Sequence, residues 1–138
     1  MPQYWLFKTE PGTYSFNQLL KDGKTNWNGV RNFQARNYLR GVAKGDLALI
    51  YHSGDDRCVV GIARVAKPGY PDPDSEKKGD WVQVDLVPVS ALKRTVPLSE
   101  IKSTPELKDM PLIRHTRLSC MPISESHYKK LIKLGGQA

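Results

Sequence analysis

Apolar and polar positions follow several rhythms along this chain, and each rhythm predicts an element. Residues 4–8 form a short aromatic-rich run closed by Glu10-Pro11-Gly12, the composition of a strand that ends in a turn. Ser15 stands three residues before Gln18, the spacing of a helix capping box. Phe16, Leu19 and Leu20 supply that helix with an apolar face, and Gly23 stops it. Residues 25–31 have no sustained period and read as a loop. A second helix is expected over residues 32–42, turning Phe33, Ala35, Tyr38, Leu39 and Val42 toward a sheet. Arg36 and Arg40, four apart, share one of its faces.

Gly45-Asp46 is a turn, and residues 47–51 are almost continuously apolar, the mark of a strand buried on both faces. Residues 53–56 read as a hairpin loop and 59–65 as the return strand. A proline-rich, charged surface loop is expected over 67–80. From Trp81 to Val89 the pattern alternates: Val82, Val84 and Leu86 fall on one face, and Trp81, Gln83 and Asp85 on the other. Short helices are expected near 97–101 and 103–107, then a strand over 117–123. A last helix over 125–134 is capped by Ser124 and ended by Gly135-Gly136. No repeat or linker divides the chain. The predicted fold is one α+β domain over residues 1–138, a curved, barrel-like mixed sheet of about five or six strands surrounded by short helices.

Composition narrows the function classes. The chain has 138 residues, 39% hydrophobic and 25% charged, which places it among globular rather than disordered chains. No apolar run reaches the roughly 18 residues of a membrane span, and the first residues read as a strand rather than a signal peptide. The cytoplasm is the expected compartment, and no membrane partner is expected. Cys58 and Cys120 are expected as buried free thiols. His52, His115 and His127 do not cluster with them at ligand spacing, so neither a metal nor an organic cofactor is expected. The formal charge of +7 attracts polyanions, of which nucleic acid is the commonest in cytosol.

The chain carries no nucleotide-phosphate loop, dinucleotide fingerprint or nucleophile elbow. His52 and Ser53 are adjacent, but strand neighbours point to opposite faces, so adjacency makes no catalytic pair. Glu10, Asp46 and Asp85 are isolated carboxylates. The expectation is a binding domain and not an enzyme. Three features point to binding, each with a plainer alternative. Trp27, between Asn26 and Asn28-Gly29, suits stacking on a flat ligand; the alternative is a plug in the core. Val30-Arg31-Asn32, with Arg36 and Arg40, opens a helix where phosphate would be held; the alternative is a solvated face with an Asn cap. Tyr51-His52-Ser53 ends a buried strand and Trp81 begins another, the place where barrel mouths hold ligands; the alternative is a pair of core aromatics with polar tips.

The same residues carry a family pattern. Tyr4-Trp5-Leu6-Phe7-Lys8-Thr9-Glu10-Pro11, the stretch from Trp27 to Asn37, Gly45-Asp46, Tyr51-His52-Ser53, Tyr70-Pro71-Asp72-Pro73 and Arg117-Leu118-Ser119 resemble the EVE domain family. The resemblance runs in order from Tyr4 to Leu134 and implies a PUA-like fold, with YTH and ASCH domains as relatives. YTH domains hold N6-methyladenine in an aromatic cage, which would make Trp27 and Trp81 the walls here. EVE domains are associated with modified cytosines in DNA and with modified RNA bases. This sequence departs from the family at Thr9, where serine is expected, and at Cys120, where valine is usual. Its segment from Gly54 to Asp80 is shorter than in many members. It lacks the basic N-terminal tail of nuclear members, which favours a bacterial-type protein.

The resulting expectation is a modified-base reader whose partner is modified DNA or RNA, with no obligatory protein partner. Trp27 and Trp81 would stack on a flipped base. Asn28, Ser53 and the backbone near Lys8-Thr9 would read its edge, with Val30, Asn32, Tyr51 and His52 completing the pocket. Arg31, Arg36, Arg40 and Arg117 would hold phosphates, which position without specifying. Two other readings stay open: a metabolite sensor using the same pocket, and a hydrolase of modified nucleotides with His52 as base.

Overall fold

The structure is a computed structural model and describes residues 3–27, 33–54, 56–71, 81–114 and 118–136. The expectations for Asn28, Val30, Arg31, Asn32 and Arg117 lie outside the described residues. Six strands form one sheet: β1 (Tyr4–Thr9), β2 (Thr25–Trp27), β3 (Leu47–His52), β4 (Cys58–Pro71), β5 (Val82–Pro97) and β6 (Cys120–Ile123). Their order is β2-β5-β4-β3-β1-β6. β1 runs parallel to β3, and every other pairing is antiparallel. Five helices are described: α1 (Phe16–Asp22), α2 (Phe33–Arg40), α3 (Leu98–Ser103), α4 (Pro111–Arg114) and α5 (Glu125–Leu134), with a 3-10 turn over Pro105–Leu107. This is the α+β, curved mixed sheet expected from the sequence.

The sheet is curled. The ring of Trp27, on edge strand β2, lies 5.6 Å from that of Phe7 on β1, although three strands separate them in the ladder. At the usual strand spacing a flat sheet would hold β1 and β2 about 19 Å apart. The bend comes from β4, whose register shifts at Ile50/Tyr51 against β3 and at several points against β5. Such bulges bend a strand and increase its twist. The Phe7–Trp27 contact defines a concave face. By register it also carries Trp5, Thr9, Ala48, Ile50 and His52, while Tyr4, Leu6, Lys8, Leu47, Leu49 and Tyr51 point to the convex face.

Both faces are covered. On the concave side Phe16 of α1 presses against Gly61, where a Cβ would meet its ring at 2.4 Å, so any side chain there must displace the ring. On the convex side Tyr4 stacks on Tyr128 of α5, with centroids 4.3 Å apart. Asp46, with no partner visible in the sequence, is buried and fastens the turn before β3. It accepts from Gln3 N–H (3.0 Å), Trp5 Nε1–H (2.9 Å) and Ala43 N–H (2.9 Å).

Several predicted elements change. Residues 25–27 are a strand, not a loop, because β5 offers them an edge to pair with, Trp27 opposite Val84. β4 runs on to Pro71, into the stretch expected as a surface loop, because β5 pairs with it throughout. β5 likewise extends past Val89 to Pro97. Its first two polar positions do not face water: Gln83 and Asp85 are buried beside their hydrophobic neighbours. Ser15 does accept from Gln18 N–H (3.0 Å), but the Gln18 side chain turns to Asp22 Oδ1 (2.8 Å), leaving half a capping box. Leu20 is 43% exposed, so Phe16 and Leu19 alone carry the buried face of α1. Helix α4 is an addition. Cys58 and Cys120 are buried free thiols, as expected, and Trp5 is in the core. His127 is half-buried and its Nδ1 lacks a hydrogen-bond partner. No helix among the described residues is long and apolar enough to cross a membrane.

Candidate functional site

Because β1 and β3 run parallel, their C-terminal ends reach the same edge of the sheet. Lys8 and Tyr51 are register partners there, and Ser53 N–H extends the ladder by donating to the Thr9 carbonyl (2.9 Å). On the convex side these ends open into a cavity of about 380 Å³. Its walls are Lys8 and Tyr51 from the strands, and Ser53, Gly54 and Arg57 from the β3–β4 hairpin. Leu98 and Lys102 of α3 and Leu112 of α4 complete it. Lys8 Nζ sits 5.9 Å from the centroid of the Tyr51 ring. Burial holds the Lys8 ammonium below its ordinary pKa, since desolvation disfavours the charged form. Burial also raises the Tyr51 phenol, while the Arg57 charge pulls it back down.

Arg57 has the one positive φ among described non-glycine residues, 45°. Its Nε donates to the Gly54 carbonyl (3.2 Å), and its own carbonyl accepts from Leu98 N–H (2.8 Å). The hairpin is thereby tied to the start of α3, and the Arg57 backbone is held in the left-handed region.

The other residues expected at this site point the opposite way. Thr9 Oγ1 donates to the Tyr14 carbonyl (2.8 Å), and His52 Nε2 accepts from Phe16 N–H (3.0 Å). Both therefore fasten α1 to the concave face and line no part of the cavity. The bond from Phe16 requires an unprotonated Nε2, so the neutral imidazole keeps its proton on Nδ1, 3.7 Å from Asp56 Oδ2. Desolvation lowers the His52 pKa, and Asp56 partly offsets this.

Trp27 is 8% exposed, tilted against Phe7 and edge-on to Tyr14 at 6.3 Å. Trp81 is 7% exposed. Trp27 pairs with Val84, and Trp81 stands just before β5, in which Gln83 and Asp85 lie on the other face from Val84. On that side Asp85 accepts from the Tyr70 hydroxyl and pairs with Lys24 (3.4 Å), while Gln83 Nε2 donates to the Pro71 carbonyl (3.0 Å). The Tyr70 phenol is pushed up to about 12, by burial first and by Asp85 next. Arg36 and Arg40 stand on α2; Arg36 Nη2 donates to Asn37 Oδ1 (2.9 Å), and Arg40 is exposed.

The structure thus brings together three of the residues singled out in the sequence, Lys8, Tyr51 and Ser53. It adds Arg57 and Lys102, which sequence reasoning missed. Arg57 had a local signal, as the basic residue closing a hairpin loop. Lys102 had none, since nothing in a sequence of this kind says that α3 lies over the ends of β1 and β3.

A curled six-stranded sheet with a basic cavity at the ends of its parallel strand pair defines a class of small α+β domains. The chain belongs to the EVE domain family, whose model matches residues 3–134. Human thymocyte nuclear protein 1 is 32% identical over 167 residues, covering 97% of this chain and 74% of that protein. A crystal structure of a protein from Agrobacterium tumefaciens superposes with a TM-score of 0.94 at 37% identity, over 99% of this chain and 94% of that one. Human THYN1 protein, solved in complex with 5-methylcytosine containing DNA, gives a TM-score of 0.89 at 30% identity over 99% of both chains.

Proposed function

We propose that this chain is a non-enzymatic reader of a modified base in nucleic acid, with modified cytosine in DNA as its first candidate ligand. The likeness to the human THYN1 structure with 5-methylcytosine containing DNA carries the proposal, because it extends over nearly the whole of both chains. The +7 charge supports a polyanionic partner. In this proposal Trp27 and Trp81 stack on the base. Phe7 and Tyr14 already occupy part of the Trp27 surface, and the 8% of it that stays exposed is what the base can reach. Asn28, Ser53 and the backbone at Lys8-Thr9 read the base edge. Arg31, Arg36, Arg40 and Arg117 hold flanking phosphates. His52 is assigned no role as a general base, since its Nε2 lone pair is committed to Phe16.

The test is a titration of oligonucleotides carrying cytosine, 5-methylcytosine or other modified bases, DNA and RNA in parallel, with product analysis of every mixture. Preference for one modified strand, intact after incubation, is expected. Trp81→Ala and Trp27→Phe should each erode it, up to the roughly 5- to 150-fold that one base–aromatic stack supplies. Equal affinity across the panel would overturn the reading, and cleavage or conversion of a strand would replace it with an enzymatic one. Steep weakening with salt separates a polymer ligand from a small metabolite in the same pocket.

A further inference from the structure

The convex-face cavity contains more positive charge than recognition of a base edge requires. Lys8, Arg57 and Lys102 reach it from β1, the β3–β4 hairpin and α3, and none of the described residues lining it is acidic. The same cavity is lined by the apolar side chains of Leu98 and Leu112 and by Tyr51. A volume of about 380 Å³ is within the range of small-ligand sites.

A second, independent observation lies in the backbone. Arg57 keeps a φ of 45°, and the Leu98 N–H to Arg57 carbonyl bond holds it there. Glycine would adopt this conformation without a Cβ penalty. Strain of this kind persists where the side chain has a task, and it clusters at ligand sites. Arginine supplies the planar, bidentate donor set that matches phosphate.

We infer that this cavity is a phosphate subsite on the convex face, taking one nucleotide unit with its phosphate toward Lys8, Arg57 and Lys102 and its apolar portion against Leu98 and Leu112. The inference deepens the nucleic-acid reading and rests on it for the source of the phosphate, either a strand residue beside the modified base or a free nucleotide. Phosphate contacts position a strand without reading its sequence. The subsite therefore sets affinity, whereas the base pocket sets preference.

The experiment follows backbone amides by NMR while adding deoxycytidine, its 5′-monophosphate, and a six-residue strand with or without 5-methylcytosine. The wild type, Arg57→Gly and Lys102→Gln are compared, with the amide spectrum of each variant reporting its fold. Expected are shifts at Arg57, Leu98 and Lys102 with a phosphate-bearing probe, and at least about tenfold weaker binding of the unphosphorylated nucleoside. Each variant should weaken modified and unmodified strands by the same factor, about tenfold or more, and leave their ratio unchanged. Binding of the monophosphate would identify a free nucleotide as sufficient; binding of the strand alone would identify the polymer. The inference is overturned if neither probe shifts the cavity amides, or if the folded variants bind both probes as the wild type does. A missing preference for modified over unmodified strand, with the variants still losing affinity, would instead remove the base-reading proposal and leave the subsite standing.

Discussion

Lys8 and Thr9 are neighbours on β1, and Tyr51 and His52 are neighbours on β3, yet the pleat sends each pair to opposite sides of the sheet. On the concave side, Thr9 and His52 are committed to backbone groups of the segment that starts α1, and the space around them is filled by Phe7, Phe16 and Trp27. On the convex side, Lys8 and Tyr51 look into a cavity whose other charged walls come from elements far away in the chain. Polar groups on the first face are fully used in holding the fold. Those on the second face surround space. The same two strands thus separate polar groups bonded within the fold from polar groups that line a cavity by a one-residue step.

The largest expected effect breaks the concave side. Trp27→Ala should cost about 3–5 kcal/mol, as truncation of a buried aromatic does, measured by urea unfolding. A variant as stable as the wild type would show that Trp27 does not hold β2 against β1, and the concave face would lose its keystone contact. Gly61→Ala should come next, at about 1–3 kcal/mol, because the new methyl must displace the Phe16 ring and with it α1. If calorimetry finds no change in Tm, α1 can shift freely on the sheet, contrary to a tightly filled concave side.

Smaller and more specific is the pH response of His52. Burial lowers its folded-state pKa below the ordinary 6.5. Above about 6.5 both folded and unfolded chains hold the imidazole neutral, and its contribution is complete. As pH falls, the unfolded chain takes up the proton first. Stability therefore declines from about 6.5 down through the lower folded pKa and levels off beneath it. The difference in unfolding midpoint between wild type and His52→Gln should shrink across that window. A pH-independent difference would mean that the bond from Phe16 does not depend on a neutral ring.

The smallest expected effect is on the convex side and has the opposite sign. Arg57→Gly should leave stability unchanged or raise it by up to about 1 kcal/mol, because glycine relieves the left-handed backbone. A loss above about 1 kcal/mol in thermal unfolding would show that the Arg57 side chain serves the fold, and the contrast between the two faces would blur.

Much of the local architecture was legible from the residues. The capped terminal helix, Glu125–Leu134, has the bounds its Ser124 and Gly135-Gly136 flanks imply. The buried run at β3 and the helix stop at Gly23 also follow from nearest neighbours, with φ at Gly23 of 73°. Residues 25–27 escaped because a three-residue strand has no period of its own; pairing with β5 creates it. The long reach of β4 and β5 escaped for the same reason, since prolines and charges at 67–71 signal a loop until a partner strand satisfies their backbone.

For the candidate site the division is similar. The sequence by itself determined the element types, the aromatic and basic residues at the strand ends, and the alternation that separates Lys8 from Thr9 and Tyr51 from His52. These depend on local sterics and on a period of two, both written in consecutive residues. Only the tertiary structure decided that the sheet curls until Trp27 meets Phe7, that Thr9 and His52 face that filled interior, and that Arg57 and Lys102 converge on Lys8. Those relations join residues 20 to 94 positions apart. They depend on register, bulges and helix placement, which arise when the hydrophobic faces of all the elements are buried together and which no short stretch of sequence contains.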